Sequence, residues 1–438
     1  MADCNHQTMR FSSSSGKKVE ASFTGGAITS NAGVLLLKEI DQEYQITKQL
    51  AALLPDKRDQ NKVEHSMLSM LRQRIYAIAC GDEDVNDHNL LRHDLAMQTA
   101  VNIDKALASA STMSRMENSF TREACLEASS LMFELYIQKH KVKPPKEIIL
   151  DFDATEDAVY GGQENRHYNG FYESHCFLPL YVFCGDDLLV SYLRPSNIDG
   201  AKHAWAILSL LVKRLRQVWP NTNIIFRGDA GFCRDAMLLW CERHGVQFIV
   251  GMAKNNRLYR AIEKDLARAK KLFEQTGKTQ RIYTRFEYAA KSWKVKRTMV
   301  ARIEYSGHGA SVRFIATNVN GYSKRLYDKL YCPRGDMENK IKQQKLDLFS
   351  DRTSCHLFVS NQMRLIFSSF AYILIQTLQD KVLKGTEIAK AYAGTVRNHL
   401  FKIGAVIIRN TRRVRIMMSS TYPRQELFQK VVRKLVPI

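Results

Sequence analysis

Apolar residues recur at helical spacing through the first third of the chain. Residues 35–40, 63–79 and 121–139 each place their apolar side chains along one face of a helix. Residues 1–23 are polar and rich in serine, a composition that is typical of a flexible arm. The pattern therefore predicts a flexible arm at 1–23, followed by a helical N-terminal region at 24–145.

The pattern changes after two consecutive prolines at 144 and 145. Short apolar runs bounded by turn residues now alternate with helical periodicity. The predicted strands are 147–152, 176–184, 188–193, 223–226 and 247–251, and the predicted helices among them are 201–219 and 234–244. Hairpin-like strands followed by strand–helix alternation predict a mixed sheet with helices on its faces, which is an α/β architecture.

Basic residues are concentrated in the second half of the chain. Residues 254–302 contain 15 Lys or Arg against 4 Asp or Glu, and strand-like alternation runs from 281 to 317. An apolar helix is predicted at 363–378, and the basic tail that follows contains a predicted hairpin at 403–418. The formal net charge is +21, so we expect a polyanionic partner, nucleic acid before a membrane surface. The alternative is a basic soluble protein without such a partner.

Nine cysteines are scattered along the chain without a CxxC pair. An odd number without metal-ligand spacing argues against a disulfide framework and against a structural zinc site. The N-terminal residues contain no apolar run of the kind found in a secretory signal, and the apolar stretch 365–378 is too short to span a bilayer. We therefore expect reduced thiols in a cytoplasmic protein that has no membrane partner.

Carboxylates stand at the ends of two predicted strands. Asp151 and Asp153 end the run IILDFD, where strand alternation puts both on the same face. Asp229 follows another buried strand and precedes a helix, which is also a position for a turn or N-cap aspartate. A carboxylate at the end of an apolar strand is costly unless it is solvated, paired or bound to a cation. These acids are therefore candidates for cation binding, with capping as the alternative for Asp229.

A predicted helix from 331 to 345 carries a polar face. Tyr331, Arg334, Glu338 and Lys345 lie at i, i+3, i+7 and i+14, close to whole helical turns. A face that only packed against a core would repeat apolar residues at these offsets. If Glu338 meets the two strand-end acids, the three carboxylates can hold two divalent cations, and Mg²⁺ suits an all-carboxylate site.

The order strand-Asp, strand-Asp, helix-Glu in a mixed α/β sheet resembles the RNase H-like nucleotidyltransferases of the retroviral integrase type. The spacing Tyr-x2-Arg-x3-Glu-x6-Lys is similar to the signature of bacterial insertion-sequence transposases of the first DDE group. Within that group, the runs ITSNAGVLLLKEID, RQRIYAIACGDEDVNDHNLLRHD and LDFDAT resemble the insertion sequence 1380 group. The resemblance covers roughly residues 25–420.

This resemblance implies a division of the chain. The helical region 24–145 would bind DNA, and 146–380 would be an RNase H-like catalytic domain. A β-rich insertion at about 257–330 would interrupt that domain, and a basic C-terminal region would occupy 381–438.

The resemblance also implies the catalytic chemistry. The catalytic and metal-binding acids would be Asp153, Asp229 and Glu338, and Asp151 is an alternative first metal ligand because it shares the face of Asp153. The implied cofactor is a pair of Mg²⁺ ions, for which Mn²⁺ can substitute.

Several aromatic and cationic side chains are then expected to contact DNA. They are Tyr331, Arg334, Lys345, Trp293, Arg412 and Arg413. The first three would contact the backbone of the transposon end near the cleaved phosphate. Trp293 either stacks on an unpaired or flipped base or packs inside a strand region. The two arginines lie in the basic tail, where they can grip phosphates.

The function implied by the resemblance is that of a DNA transposase. Such a protein binds the terminal inverted repeats of an insertion sequence and carries out Mg²⁺-dependent cleavage and strand transfer in cut-and-paste transposition. Its partners would be double-stranded DNA, as transposon ends and as target, and a second copy of the chain, in the bacterial cytoplasm on the nucleoid. Two alternatives stay open: a structure-selective nuclease of the same fold, and a non-catalytic DNA-binding protein derived from a transposase.

Overall fold

The first and last parts of the chain belong to one folded unit, and the middle of the chain forms another. The computed structural model describes residues 8–436. Unit 1 contains the described residues up to Phe120, Asp347–Phe349 and the described residues from Phe370 onward, and unit 2 contains Thr121–Leu346 and Ser350–Ser369. Residues 24–120 of the predicted helical N-terminal region therefore fold together with the described part of the basic C-terminal region, whereas residues 121–145 belong to unit 2.

The strands fall in four sheets. In chain order they are β1 Met9–Ser14, β2 Lys17–Ala21, β3 Ile28–Thr29, β4 Glu147–Ala154, β5 Asp157–Ala158, β6 His167–Asn169, β7 Ser174–Phe177, β8 Leu180–Cys184, β9 Asp187–Tyr192, β10 Asn223–Gly228, β11 Gln247–Met252, β12 Gln280–Tyr288, β13 Arg297–Ser306, β14 Gly309–Thr317, β15 Ala405–Arg409 and β16 Val414–Met418.

The α-helices are distributed over both units. In chain order they are α1 Leu35–Tyr44, α2 Ile46–Leu53, α3 Met67–Cys80, α4 His88–Leu91, α5 Leu95–Val101, α6 Ala110–Glu117, α7 Arg122–Lys139, α8 Ala204–Val218, α9 Asp235–Arg243, α10 Asn256–Ala261, α11 Glu263–Thr276, α12 Ser323–Arg325, α13 Gly335–Lys342, α14 Phe358–Leu378, α15 Ala393–Val396 and α16 Gln425–Leu435.

An eight-stranded sheet forms the centre of unit 2. Its order is β12-β13-β14-β11-β10-β4-β8-β9. The three strands β4, β10 and β11 run parallel, and the other pairings are antiparallel. Parallel strands need crossover connections, and α8 and α9 supply them. The predicted mixed α/β sheet is therefore present.

The two faces of this sheet carry different side chains because strand residues alternate. On β4, Ile148, Leu150 and Phe152 are buried in a core to which α7, α8 and α9 contribute. The intervening residues Asp151 and Asp153 lie on the other face. On that face a smaller core joins sheet residues such as Ile225 to the segment that precedes α13. The candidate acids thus lie on the same face of the sheet as the segment that leads into α13, the helix that carries Glu338.

The segment predicted as a β-rich insertion, 257–330, differs from that prediction in two ways. Its first part is helical, because α10 and α11 run from Asn256 to Thr276. Its strands β12, β13 and β14 extend the main sheet, because β14 pairs with β11. Met299 to Ala301 on β13 are fully buried. Their apolar side chains extend the cores on both faces of the sheet.

Unit 1 joins N-terminal helices to C-terminal strands. Helices α1 and α3 bury apolar faces, and Ser66 caps the start of α3 by accepting a hydrogen bond from the Ser69 N–H. A three-stranded sheet has the order β16-β15-β3, in which Ile28 pairs with Val406. This long-range pairing explains why the basic tail is not a separate region.

A hairpin occupies much of the segment that was predicted to be a flexible arm. Strands β1 and β2 pair antiparallel, and the turn between them has Ser15 and Gly16 at positive φ. All residues of both strands are exposed. The alternation of apolar and polar residues from Met9 to Ala21 is the local signal for these strands.

The apolar helix α14 is longer than predicted. Within the part of the chain that the structure describes, the stretch Phe358–Leu383 is the one helical stretch long and apolar enough to cross a membrane by length and composition. Inside the protein, 83% of its qualifying window is buried. A core helix of a soluble protein has the same properties, so this stretch is weak evidence for a membrane span.

Candidate active site

Asp153 lies near the carboxyl end of β4, and its side chain is largely buried. One carboxylate oxygen accepts a hydrogen bond of 3.0 Å from the Ala154 N–H. The other lies 3.3 Å from Nη1 of Arg334. Burial raises the pKa of Asp153 to about 7, Arg334 lowers it, and the charges of Asp229 and Glu338 raise it further. The pKa of Asp153 therefore depends on the charges of Arg334, Asp229 and Glu338.

Arg334 joins two of the three predicted acids. Its Nη1 contacts Asp153, and its Nη2 donates a hydrogen bond of 2.7 Å to Glu338. Arg334 and Glu338 lie four residues apart at the start of α13, which is the spacing of neighbours on a helix. The Arg334 side chain is 18% exposed and that of Glu338 is 55% exposed. Glu338 is thus more exposed to solvent than Arg334.

Asp229 lies at the same end of the sheet as Asp153. The parallel register pairs Phe152 with Gly228, so the next residues along the two strands are Asp153 and Asp229. The Asp229 side chain accepts a hydrogen bond of 2.8 Å from the Gly231 N–H and caps a 3₁₀ turn. The capping alternative is therefore correct for its backbone role. Its charge also acts on Asp153, which places it at the site as well.

Asp151, the alternative first ligand, is committed to a different partner. The register of β4 and β10 sets it opposite Arg227, and the two side chains form a buried two-bond ion pair. Arg227 also donates to the Leu330 carbonyl. Burial raises the pKa of Asp151, and the Arg227 guanidinium opposes this rise. This ion pair occupies both oxygens of Asp151, which leaves Asp153 as the first candidate ligand.

The position of the Tyr331 side chain depends on Gly251, which the sequence analysis did not identify. A Cβ atom on Gly251 of β11 would lie 2.5 Å from the Tyr331 hydroxyl oxygen and 3.0 Å from the Ala230 nitrogen. The glycine therefore makes room for both the tyrosine and the backbone that follows Asp229. Burial raises the pKa of Tyr331, and the neighbouring Arg334 lowers it. Only a strand glycine in the run IVGM hinted at such a close approach.

Lys345 does not share the face of Arg334 and Glu338. Its Nζ donates a hydrogen bond of 2.5 Å to the Glu156 carbonyl and lies 4.0 Å from the fully buried Asp157. The prediction assumed one regular α-helix, but Gln343–Asp347 is π-helical. A π-helical turn contains more residues than an α-helical turn, so the later positions rotate away from the predicted face. The contact of Lys345 with DNA stays a prediction.

Trp293 packs in the core, which was the second of its two alternatives. Its side chain is 9% exposed and belongs to the large core of unit 2. Its ring lies edge-on to Tyr288 at 5.9 Å, and the Arg297 guanidinium covers it at 5.0 Å. This burial favours the packed alternative over stacking on a base.

Arg412 and Arg413 lie at the turn of the β15–β16 hairpin in unit 1. Both side chains are exposed, and both backbone N–H groups donate to Oδ1 of Asn410. Among the described ion pairs, neither arginine contacts an acid. Their side chains are therefore open to solvent in unit 1, and their contact with DNA phosphates stays a prediction.

Two aromatic residues, Phe171 and Tyr172, lie in the turn between β6 and β7. Burial raises the pKa of Tyr172, and the charges of Asp153 and Asp229 contribute to the rise. Phe171 precedes Tyr172 and is 85% exposed, and the two rings meet edge-to-face at 4.9 Å. The exposed run YNGFY was the available signal.

The acids have the right chemistry for a hard cation, but they are not gathered into a closed ligand set. Among residues 8–436, no group of three or more His, Cys, Asp or Glu side chains is placed to hold a metal ion. The three acids offer only oxygen ligands, and their mutual repulsion raises the pKa of Asp153. Arg334 supplies the compensating charge here. A divalent cation fits this donor set if it replaces the contacts of Arg334.

These features belong together: acids at the ends of two adjacent parallel strands, with a helix-borne glutamate and arginine beside them. Residues 11–438 match the family described as Transposase DDE domain group 1, and the chain belongs to that family. The prediction of a DDE transposase is thereby confirmed, while the insertion sequence 1380 group stays a prediction. No curated protein matches the chain.

One solved structure with a similar course of the chain is the piggyBac transposase synaptic complex with hairpin DNA, determined by cryo-EM. The sequence identity is 10% and the TM-score is 0.40, over 85% of this chain and 80% of that chain.

Proposed function

We propose that this chain is the transposase of a bacterial insertion sequence, which binds the terminal inverted repeats and moves the element by Mg²⁺-dependent strand cleavage and strand transfer. Membership of the DDE transposase family supports transposition in general. The observation that carries the catalytic part is the meeting of Asp153, Glu338 and Arg334, with Asp229 on the neighbouring strand. Cut-and-paste is the route proposed.

The sheet supports an RNase H-like catalytic core. In the strand order β9-β8-β4-β10-β11, the strands β4, β8 and β9 form an antiparallel meander. The strands β10 and β11 then run parallel to β4. In this arrangement the first acid ends β4 and the second follows β10. Side chains at the ends of adjacent parallel strands meet at one edge, which is where an α/β sheet binds its ligands.

The three acids would hold the proposed Mg²⁺ or Mn²⁺ ions. Two such ions supply activation of a water or 3′-hydroxyl nucleophile and stabilisation of the leaving oxygen. Asp153 must lose its proton to act as a ligand, and its pKa of about 7 makes this step pH-dependent. Glu338, which is exposed, would become the third ligand once its ion pair with Arg334 is broken.

Arg334 and Tyr331 are proposed to bind the phosphate backbone next to the acids. A guanidinium released from Asp153 and Glu338 can bind a phosphate through two parallel hydrogen bonds. The Tyr331 hydroxyl lies against Gly251 and is well placed to donate to the same phosphate group. Lys345 is left out of this phosphate contact, because its Nζ donates a hydrogen bond to the Glu156 carbonyl.

The DNA-binding surface is proposed to extend well beyond the acids. The net charge of +21 favours binding of double-stranded DNA, both transposon ends and target. Residues 24–120 of the helical N-terminal region and the tip with Arg412 and Arg413 both belong to unit 1, which we propose grips the transposon ends. A homodimer on paired ends, in the bacterial cytoplasm, completes the proposal.

A plasmid assay tests this function. Supercoiled plasmid carrying both ends of the element is incubated with protein and Mg²⁺, Mn²⁺ or EDTA. Metal-dependent release of the element and joining to a target plasmid is the expected result. Cutting without joining would instead indicate a structure-selective nuclease. A gel shift without cutting would indicate a non-catalytic DNA-binding protein.

Matched variants test the site itself. Glu338→Gln should lower cleavage at least about 100-fold with DNA binding retained, because it removes a charged ligand. Asp336→Asn on the same helix is the control, since Asp336 is exposed and has no described ion pair. Arg334→Lys should also lower cleavage, since a lysine cannot replace a two-bond contact. Wild-type rates for both site variants would remove the catalytic assignment.

A further inference from the structure

The segment between β5 and β7 presents an aromatic pair on a fixed tip. Oδ1 of Asn169 accepts hydrogen bonds from the N–H groups of Phe171 at 2.9 Å and Tyr172 at 3.3 Å. Nδ2 of Asn169 donates to the Ser196 carbonyl at 2.9 Å, and the Ser196 hydroxyl donates to the His167 carbonyl at 2.8 Å. Asn169 therefore both shapes the turn and ties it to the chain after β9.

The turn that carries Phe171 and Tyr172 is tied to the segment that follows β4, the strand that bears Asp153. Ser174, at the start of β7, donates a hydrogen bond of 2.7 Å to the side chain of Glu156. β5 pairs with β7, and β7 pairs with β6. This small sheet holds the turn in place relative to the end of β4. Phe171 and Tyr172 are thus carried by paired strands rather than by a loose loop.

The two aromatic rings differ in what they face. Tyr172 is half-buried, on a turn that the Ser174–Glu156 hydrogen bond ties to the segment that follows Asp153, whereas Phe171 is 85% exposed. A single exposed phenylalanine is ordinary on a protein surface. Phe171 differs from such a residue because the Asn169 side chain fixes its backbone. Its exposed ring is therefore held in one place beside the candidate site, where it can contact a substrate.

We propose that Phe171, supported edge-on by Tyr172, stacks against an unpaired base of the DNA strand that enters the site. The proposal rests on the proposed function and names a residue that positions the substrate of that function. A nucleobase is the fitting occupant, because the site lies in a protein of net charge +21 and the ring offers a π-face to any base.

Stacking makes a specific prediction about strand preference. Removing one aromatic stack weakens binding of a base by about 5- to 100-fold, with little dependence on sequence. Contacts to duplex phosphates do not depend on the ring. Phe171→Ala should therefore weaken binding of single-stranded DNA and leave binding of duplex DNA within about twofold. Phe171→Trp should keep the single-strand affinity.

The experiment uses an oligothymidylate of about 20 nucleotides with one 5-iodouracil, and a duplex of equal length. Affinities are measured for the full-length wild type, Phe171→Ala, Phe171→Trp and Tyr322→Ala. Tyr322 is 87% exposed in the same unit and serves as the control for losing an exposed aromatic ring. Irradiated complexes are digested, and the cross-linked peptide is identified by mass spectrometry.

The expected result is a cross-link at Phe171 or Tyr172 and a selective loss of single-strand binding in Phe171→Ala alone. A cross-link at Trp293 or elsewhere overturns the proposal, as does an equal loss for single strand and duplex. A change in oligomeric state on Phe171→Ala would show that the tip contacts a second copy, and it also overturns the proposal.

The plasmid assay, run in parallel, separates the two claims. If the wild type cuts and joins while Phe171→Ala binds single strands normally, only the stacking inference fails. If the wild type does neither but the cross-link and selective loss are found, the base-stacking site stands and the transposase proposal fails.

Discussion

Replacing Asp153 with asparagine should stabilise unit 2 of the metal-free protein at pH 8. Asparagine has nearly the same shape as aspartate, and its oxygen can still accept the hydrogen bond from the Ala154 N–H. What it removes is a negative charge that is buried and lies near Asp229 and Glu338. Arg334 loses one acidic partner but keeps its bond to Glu338. The lost repulsion and desolvation should outweigh the lost ion pair.

The magnitude follows from the change in pKa on folding. The ordinary pKa is 3.8 and the folded value is about 7. The difference of about 3 corresponds to ~4 kcal/mol at ~1.4 kcal/mol per pKa unit, which is an upper limit. Because Arg334 loses a contact, we expect a net gain of about 1–3 kcal/mol.

The pH dependence gives the sharper test. A carboxyl group with a raised folded pKa holds its proton more tightly in the folded state, so folding becomes less favourable as pH rises from 3.8 to about 7. Above pH 7 the cost is constant, and below 3.8 it is absent. The stability difference between Asp153→Asn and wild type should therefore grow from pH 5 to 7 and then level off.

Tryptophan fluorescence can follow this unfolding selectively. All four tryptophans, Trp205, Trp219, Trp240 and Trp293, lie in unit 2. Urea unfolding with EDTA present, from pH 5 to 8.5, gives the free energy at each pH. Asp336→Asn is the control and should differ from wild type by less than about 0.5 kcal/mol. A less stable Asp153→Asn protein at pH 8, or a pH-independent difference, would refute the reasoning.

Three further predictions concern neighbouring residues. Asp151→Asn should destabilise unit 2 by about 3 kcal/mol in the same urea assay, because it leaves the Arg227 guanidinium buried without a counter-charge; a stabilised variant would contradict this. Gly251→Ala should cost about 1–3 kcal/mol and lower cleavage, because its Cβ displaces the Tyr331 hydroxyl; normal stability and activity would show that the approach is not tight. Asp157→Asn should change stability by less than about 1 kcal/mol at pH 6, because burial raises the pKa of this carboxyl well above its usual value and so disfavours its charged form; a large loss would show that a charged Asp157 stabilises the fold.

Much of the fold was readable from local pattern. The apolar run at 147–152 is strand β4, and the helical periodicity at 201–219 is α8, Ala204–Val218. The hairpin predicted at 403–418 is β15 and β16. Within the site, the pairing of Arg334 with Glu338 follows from their spacing of four residues on a helix. In each case the signal and the structure it predicts lie within a few turns of one element.

Some predictions differ from the structure in local elements, as with the β1–β2 hairpin and the helices α10 and α11, and others depend on contacts between distant segments. Strand alternation could not choose between Asp151 and Asp153, because the choice depends on Arg227 lying opposite Asp151 in the parallel register. The direction of Lys345 depends on a π-helical turn, which the spacing of residues in the sequence does not reveal. Trp293 lies in a basic segment, but its neighbours in space are core residues.

The sequence by itself determined the element types, the basic charge and the acids available for catalysis, because hydrophobic periodicity and side-chain chemistry are properties of short segments. Only the tertiary structure decided which acid meets Arg334, that Gly251 admits Tyr331, and that the two ends of the chain form one unit. The physical reason is that strand register and close packing are set by surfaces far apart in the chain, which fit together only after folding.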